Sequence, residues 1–80
     1  TAGVEKVYLL KLNDCPSEAL LVDHFLHGIE SEGELLRAKS IQVVDREEGM
    51  VKVILKEGKK RQLHRMFNSL GIKVLDLQRI

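Results

Sequence analysis

Hydrophobic and polar positions alternate most cleanly over residues 50–56. Val51, Val53 and Leu55 fall on one side, Lys52 and Lys56 on the other. That period of two predicts a strand with one face buried. A different period follows. Leu63, Met66, Phe67 and Leu70 recur at i, i+3, i+4 and i+7, the apolar stripe of a helix that Gly71 then closes. Residues 5–12 read as a first strand, with Val7, Leu9 and Lys11 on one face and Lys6, Tyr8, Leu10 and Leu12 on the other. Asn-Asp-Cys-Pro at residues 13–16 ends it with turn chemistry. Ser17 is then placed as an N-cap and Glu18 as a first-turn acid. Leu21 and Phe25, with Val22, Leu26 and Ile29, continue at helical spacing, and Gly28 is a stop signal. The spacing predicts a helix over residues 17–27.

Residues 30–37 are polar and acidic and read as a solvated loop. Residues 39–45 read as a short strand, joined to residues 50–56 by a hairpin connection at residues 46–49. Residues 72–80, with Val74, Leu75 and Leu77, form the last strand. The predicted order is β-α-β-β-α-β. That is an α+β chain of the ferredoxin-like, split βαβ kind: an antiparallel sheet with two helices on one face. The chain starts and stops close to strands, so residues 1–80 are expected to be a single fragment of a larger domain. Uncovered sheet edges in such a fragment invite edge-strand association.

Composition adds limits. Eighty residues can bury only a modest core. An apolar fraction of 44 % excludes a disordered chain. No apolar run reaches membrane-spanning length. The single Cys15 has neither a disulfide partner nor a CxxC zinc spacing, so a reducing, cytoplasmic setting is expected.

Charge changes the picture more. The formal net charge is only +1, yet residues 56–65 hold Lys56, Lys59, Lys60, Arg61 and Arg65 against Glu57 alone. That stretch carries +4, so the other seventy residues sum to −3. Lys59, Lys60 and Arg61 fall at the predicted start of the second helix, where the helix dipole disfavours cations. Arg61 and Arg65 add a like-charge i, i+4 pair. Each effect costs a few tenths of a kcal/mol to about one. Their coincidence points to an anion, and a helix N-terminus suits phosphate. With Tyr8, Phe25 and Phe67 the only aromatics, base stacking by this patch is not expected. Contacts would go to phosphates and depend on salt. On the helical wheel Arg61, Arg65 and Asn68 oppose the buried stripe, and Gln62 and His64 flank it.

Other candidates are weaker. His24 and His27 lie on the first helix with Asp23, but no third residue stands at metal spacing, so no metal site is expected. Tyr8 on an apolar strand reads first as a core tyrosine. No P-loop, GxGxxG or Ser/His/Asp spacing is present.

Glu57-Gly58-Lys59-Lys60-Arg61-Gln62-Leu63-His64-Arg65-Met66-Phe67, followed by Gly71, Val74, Leu75, Leu77 and Arg79-Ile80, resembles a known segment. It is similar to the Glu-Gly-x-x-Arg/His-Gln-φ-Arg/Lys-Arg-Met … Gly-x-x-Val-x-x-Leu-x-Arg-Ile string of bacterial ribosomal RNA pseudouridine synthases of the small-subunit (RsuA-like) family. Lys6-Val7-Tyr8 resembles that family's Lys-x-Tyr-x-Val strand, and Gly28-Ile29 and Ala38-Lys39 also stand where it has counterparts. The likeness covers essentially the whole chain. It implies the C-terminal portion of a catalytic domain that isomerises a uridine in ribosomal RNA, without cofactor or metal.

The resemblance also implies roles. Tyr8 would pack on the target base, Leu63 would shape the apolar wall of the pocket, and His64 would pair with the catalytic carboxylate. Lys59, Lys60, Arg61, Gln62 and Arg65 would lie against RNA. A flipped-out nucleotide would be the substrate. Two departures stand out. The family's catalytic Asp lies in a Gly-Arg-Leu-Asp segment upstream of the tyrosine strand, and this chain has none, so it is expected to be inactive alone. His64 stands where the family has Arg or Lys, and a histidine pairs with a carboxylate only when protonated. Two other readings compete: a stand-alone RNA-binding ferredoxin-like module, and a protein-interaction domain with an incidental basic helix. Against the module, the strands lack the exposed aromatics of RNA-reading sheets.

Overall fold

The computed structural model describes residues 5–56 and 60–80, with Lys60 described by its backbone only. The elements are β1 (Lys6–Leu12), α1 (Glu18–His27), β2 (Ile29–Ser31), β3 (Glu34–Leu36), β4 (Ser40–Asp45), β5 (Met50–Leu55), α2 (Lys60–Ser69) and β6 (Val74–Arg79). β4, β5, β1 and β6 lie in that order in an antiparallel sheet. Each βαβ crossover therefore straddles a strand of the other, which is the split βαβ, ferredoxin-like topology.

Alternation decides which face is covered. Tyr8, Leu10 and Leu12 on β1 and Val51, Val53 and Leu55 on β5 point into the core, joined by Ile41 of β4. Leu21 and Phe25 of α1 and Leu63, Met66 and Phe67 of α2 pack over them. The Phe25 and Phe67 rings meet at 4.7 Å with a 49° tilt, which ties the helices together. Such a pair adds about 0.5–1.5 kcal/mol beyond its buried area. The opposite face carries half-buried Val7, Leu9 and Ile54 beside Lys52. Both helices thus lie on one side.

Local signals act as their chemistry requires. The Ser17 hydroxyl accepts from the Leu20 N–H at 3.3 Å and caps α1. Such a cap contributes about 1 kcal/mol. Glu18, in that first turn, also accepts from the Val43 N–H at 2.8 Å, where the β4–β5 register slips. One carboxylate therefore joins α1 to an edge strand. Gly28 stops the helix at φ 119°, and its N–H donates to the His24 carbonyl.

Residues 30–37 depart from the expected solvated loop. β2 and β3 pair Ile29 with Leu36, Glu30 with Leu35 and Ser31 with Glu34. Glu32 and Gly33 make the two-residue turn with φ of 51° and 82°, both left-handed as a tight hairpin demands. Three-residue strands are too short to display a period, and their acidic content masks Ile29 and Leu36, the two buried anchors. The hairpin packs against α2.

Candidate nucleic-acid interface

α2 presents its chemistry around a fixed apolar keel. Leu63, Met66 and Phe67 are fully buried, which sets the rotation of the helix and hence the direction of every polar residue on it. Leu70, the last member of the expected stripe, is only half-buried where the helix ends. The first turn holds no acidic residue, so nothing of its own sequence offsets Lys60 and Arg61 against the helix dipole. Arg61 and His64 are exposed. The expectation for Lys59 and for Glu57-Gly58 falls outside the described residues, as does the side chain of Lys60.

Gln62 is half-buried and donates through Nε2 to the Arg37 carbonyl at 3.0 Å. The same amide lies 3.9 Å from the Met66 sulfur. It therefore fixes the chain just after β3 to the first turn of α2. Leu35, Leu36, Arg37 and Gln62 line a shallow cavity of about 400 Å³ there.

Arg65 differs from its place on the helical wheel. Its side chain is only 28 % exposed, because the β2–β3 hairpin covers that flank. Nη2 donates to the Ser31 carbonyl at 2.8 Å, and Nη1 to Glu34 at 3.1 Å. Glu32 lies 3.6 Å from Nη2. The guanidinium fork holds a backbone oxygen and a carboxylate at once, a geometry lysine lacks. Ser31, Glu32 and Glu34 were invisible as partners in the sequence, since they lie more than thirty residues away. The Glu32-Gly33 dipeptide between two short apolar-anchored segments was the available signal.

Tyr8 lies on the covered face of β1, 4 % exposed, between Val53 of β5 and Arg79 of β6. It shares the core cluster with Leu63. The structure thus joins Tyr8 and Leu63 through the core, and groups Arg61, Gln62 and His64 on α2. Among the histidines, His27 Nδ1 is 2.8 Å from the Asp23 carbonyl and 3.0 Å from its carboxylate, at the surface. Among the described residues, no three His, Cys, Asp or Glu are grouped to hold a metal ion. No helix among them is long and apolar enough to cross a membrane.

A cleft of about 420 Å³ lies at the other end of the sheet, between the turns after β1 and β4. It mixes Lys11 and Arg46 with Asp14, Glu47 and Glu48, a balance unsuited to a polyanion. Burial pushes the Cys15 thiol there above its ordinary pKa, with Arg46 opposing and Asp14 adding to the shift.

The fold is similar to that of a crystallised pseudouridylate synthase, with a TM-score of 0.79 and 32 % sequence identity. The match covers 94 % of this chain and 32 % of that one, so the chain spans about a third of the solved protein's length. No family model matches the sequence. No curated protein matches it either.

Proposed function

We propose that this chain is the C-terminal portion of the catalytic domain of an RNA pseudouridine synthase acting on a uridine in ribosomal RNA. The observation that carries the reading is the pseudouridylate synthase fold at 32 % identity over 94 % of the chain. The basic start of α2, uncompensated by any first-turn acid, supports an RNA partner. In this reading Lys59, Lys60 and Arg61 meet phosphates. Tyr8, 4 % exposed, and Leu63, fully buried, lie in one core cluster, so in this reading they form the floor beneath the extruded uracil. His64 faces a carboxylate supplied from outside these eighty residues. Gln62 acts through the segment it fixes, and Arg65 through the hairpin it holds.

The reaction detaches uracil from its ribose and rejoins it through carbon, so the hydrogen on uracil C5 is released. Tritium placed at C5 reports each turnover. The complete gene product should release tritium from ribosomal RNA, and the eighty-residue chain should not. A gene with no Gly-Arg-Leu-Asp segment upstream of Thr1, together with no tritium release, would overturn the proposal. RNA binding with salt dependence but no isomerisation by the complete product would favour the stand-alone binding module.

A further inference from the structure

Two cations from outside the basic run, Arg37 and Lys39, share a cavity with Lys56, the first residue of that run. Arg37, Lys39 and Lys56, with Ala38, line a concavity of about 430 Å³ at the α2 end of the sheet. Arg37 also lines the cavity that Gln62 of the first turn of α2 borders, so one residue lies on both. The segment between β3 and β4 that carries Arg37 and Lys39 is pinned at four points. Arg37 Nε donates to the His27 carbonyl at 3.1 Å, and its own carbonyl accepts from Gln62 at 3.0 Å. The Ala38 N–H donates to Phe25 at 2.9 Å, and the Lys39 N–H to Ile54 at 2.8 Å. Glu5 pairs with the Lys39 ammonium and holds it in place. Among the described residues, the lining keeps a net charge of +2 after this pair, on a backbone pinned by these hydrogen bonds.

We infer that the Arg37–Lys39–Lys56 cavity is a second phosphate subsite, which takes the RNA backbone next to the phosphates bound at the start of α2. The inference rests on the RNA-binding reading above and adds residues to it. Arg37 supplies the donors left over after its Nε is used on His27, and a guanidinium edge suits phosphate oxygens. Lys56 supplies a mobile point charge at the end of β5. A cavity of this kind reads no base, so it adds affinity and strand direction rather than sequence preference.

The test is a salt titration of binding to a short uridine-containing single-stranded RNA, with parallel amide NMR of the chain. Lys56→Gln removes a charge without touching a described hydrogen bond. Arg37→Gln/Lys56→Gln removes two phosphate contacts, and the log–log salt slope should fall by about 1.4, or about 0.7 for Lys56→Gln alone. The Ala38 and Lys39 amides should shift on adding RNA. Lys59→Gln/Lys60→Gln/Arg61→Gln serves as the reference arm for the helix start. A fall in slope for that arm with none for the cavity variants overturns the subsite and leaves the functional reading standing. No RNA binding by the unsubstituted chain overturns both. Inorganic phosphate that saturates the Ala38 and Lys39 shifts, with an unchanged RNA slope in the cavity variants, would make this a free-anion site and overturn the RNA assignment.

Discussion

Arg65→Ala separates two roles for one side chain. In the structure its guanidinium holds the Ser31 carbonyl at 2.8 Å and Glu34 at 3.1 Å. A hydrogen bond from a charged donor contributes about 1.5–3 kcal/mol. The Glu34 pair contributes less, about 0.2–1 kcal/mol, since Glu34 is 65 % exposed. Glu32, 83 % exposed and 3.6 Å away, adds little. With the fork itself partly solvated, the low end applies, and Arg65→Ala should cost about 2 kcal/mol. A domain of this size has a total stability of about 4–12 kcal/mol, so the loss is easily measured. With a urea m-value of about 1 kcal/mol/M, the midpoint should fall by roughly 2 M. Arg65→Lys keeps the charge but not the fork and should lose about half as much. Hydrogen exchange should show residues 29–36 losing protection first, because the hairpin then keeps only its buried Ile29 and Leu36 and the Gln62–Arg37 hydrogen bond just after it. The reasoning is refuted if Arg65→Ala leaves the urea midpoint and hairpin protection unchanged while the RNA salt slope drops by about 0.7. That result would return Arg65 to direct phosphate contact.

Further predictions concern backbone, thiol and histidine. A Cβ on Gly49 (φ 71°) would lie 2.4 Å from the Leu12 carbonyl oxygen, whereas one on Gly33 (φ 82°) meets nothing within 4 Å. Gly33→Ala should therefore cost only the left-handed penalty of about 1–2 kcal/mol, and Gly49→Ala clearly more, as thermal melts will show. Similar losses at both sites would refute the close packing of the β4–β5 turn on β1. Cys15, raised by burial, should alkylate slowly at neutral pH and speed up only above the range of an unhindered thiol. Because the folded state favours the protonated thiol, its contribution to stability is complete below the unfolded thiol pKa and declines as pH rises through the folded one. A rate–pH curve matching that of a free cysteine peptide would contradict this. In the complete gene product, His64→Arg should sustain activity above neutral pH better than histidine, and superimposable pH–rate profiles would remove the idea.

The main sheet and both helices were legible because their signals are local and repeated. Val51, Val53 and Leu55 alternate, Leu63, Met66 and Phe67 recur at helical spacing, and Ser17 and Gly28 bracket α1. Observed boundaries differ from the expected ones by a residue or two, as at Val74 and Leu55. The β2–β3 hairpin was not legible, since three residues per strand show no period and a turn with Glu32 in a left-handed conformation is not the usual signal. Arg65 shows the other limit. A helical wheel places it opposite the keel, but it cannot know that an acidic hairpin from earlier in the chain covers that flank. The Arg37–Lys39–Lys56 cavity escaped for the same reason, since its charges come from two separate segments. Charge clustering in sequence found only the cations that are neighbours along the chain.

The central claim is that the basic start of α2 holds the RNA of a pseudouridylation site whose carboxylate comes from elsewhere. The most direct measurement is tritium release from uracil C5 of ribosomal RNA by the complete gene product, compared with Lys59→Gln/Lys60→Gln/Arg61→Gln in the same protein. The account predicts release by the parent and a loss in the triple variant that high substrate concentration partly restores. Release that is unchanged by the three substitutions at physiological salt would contradict it.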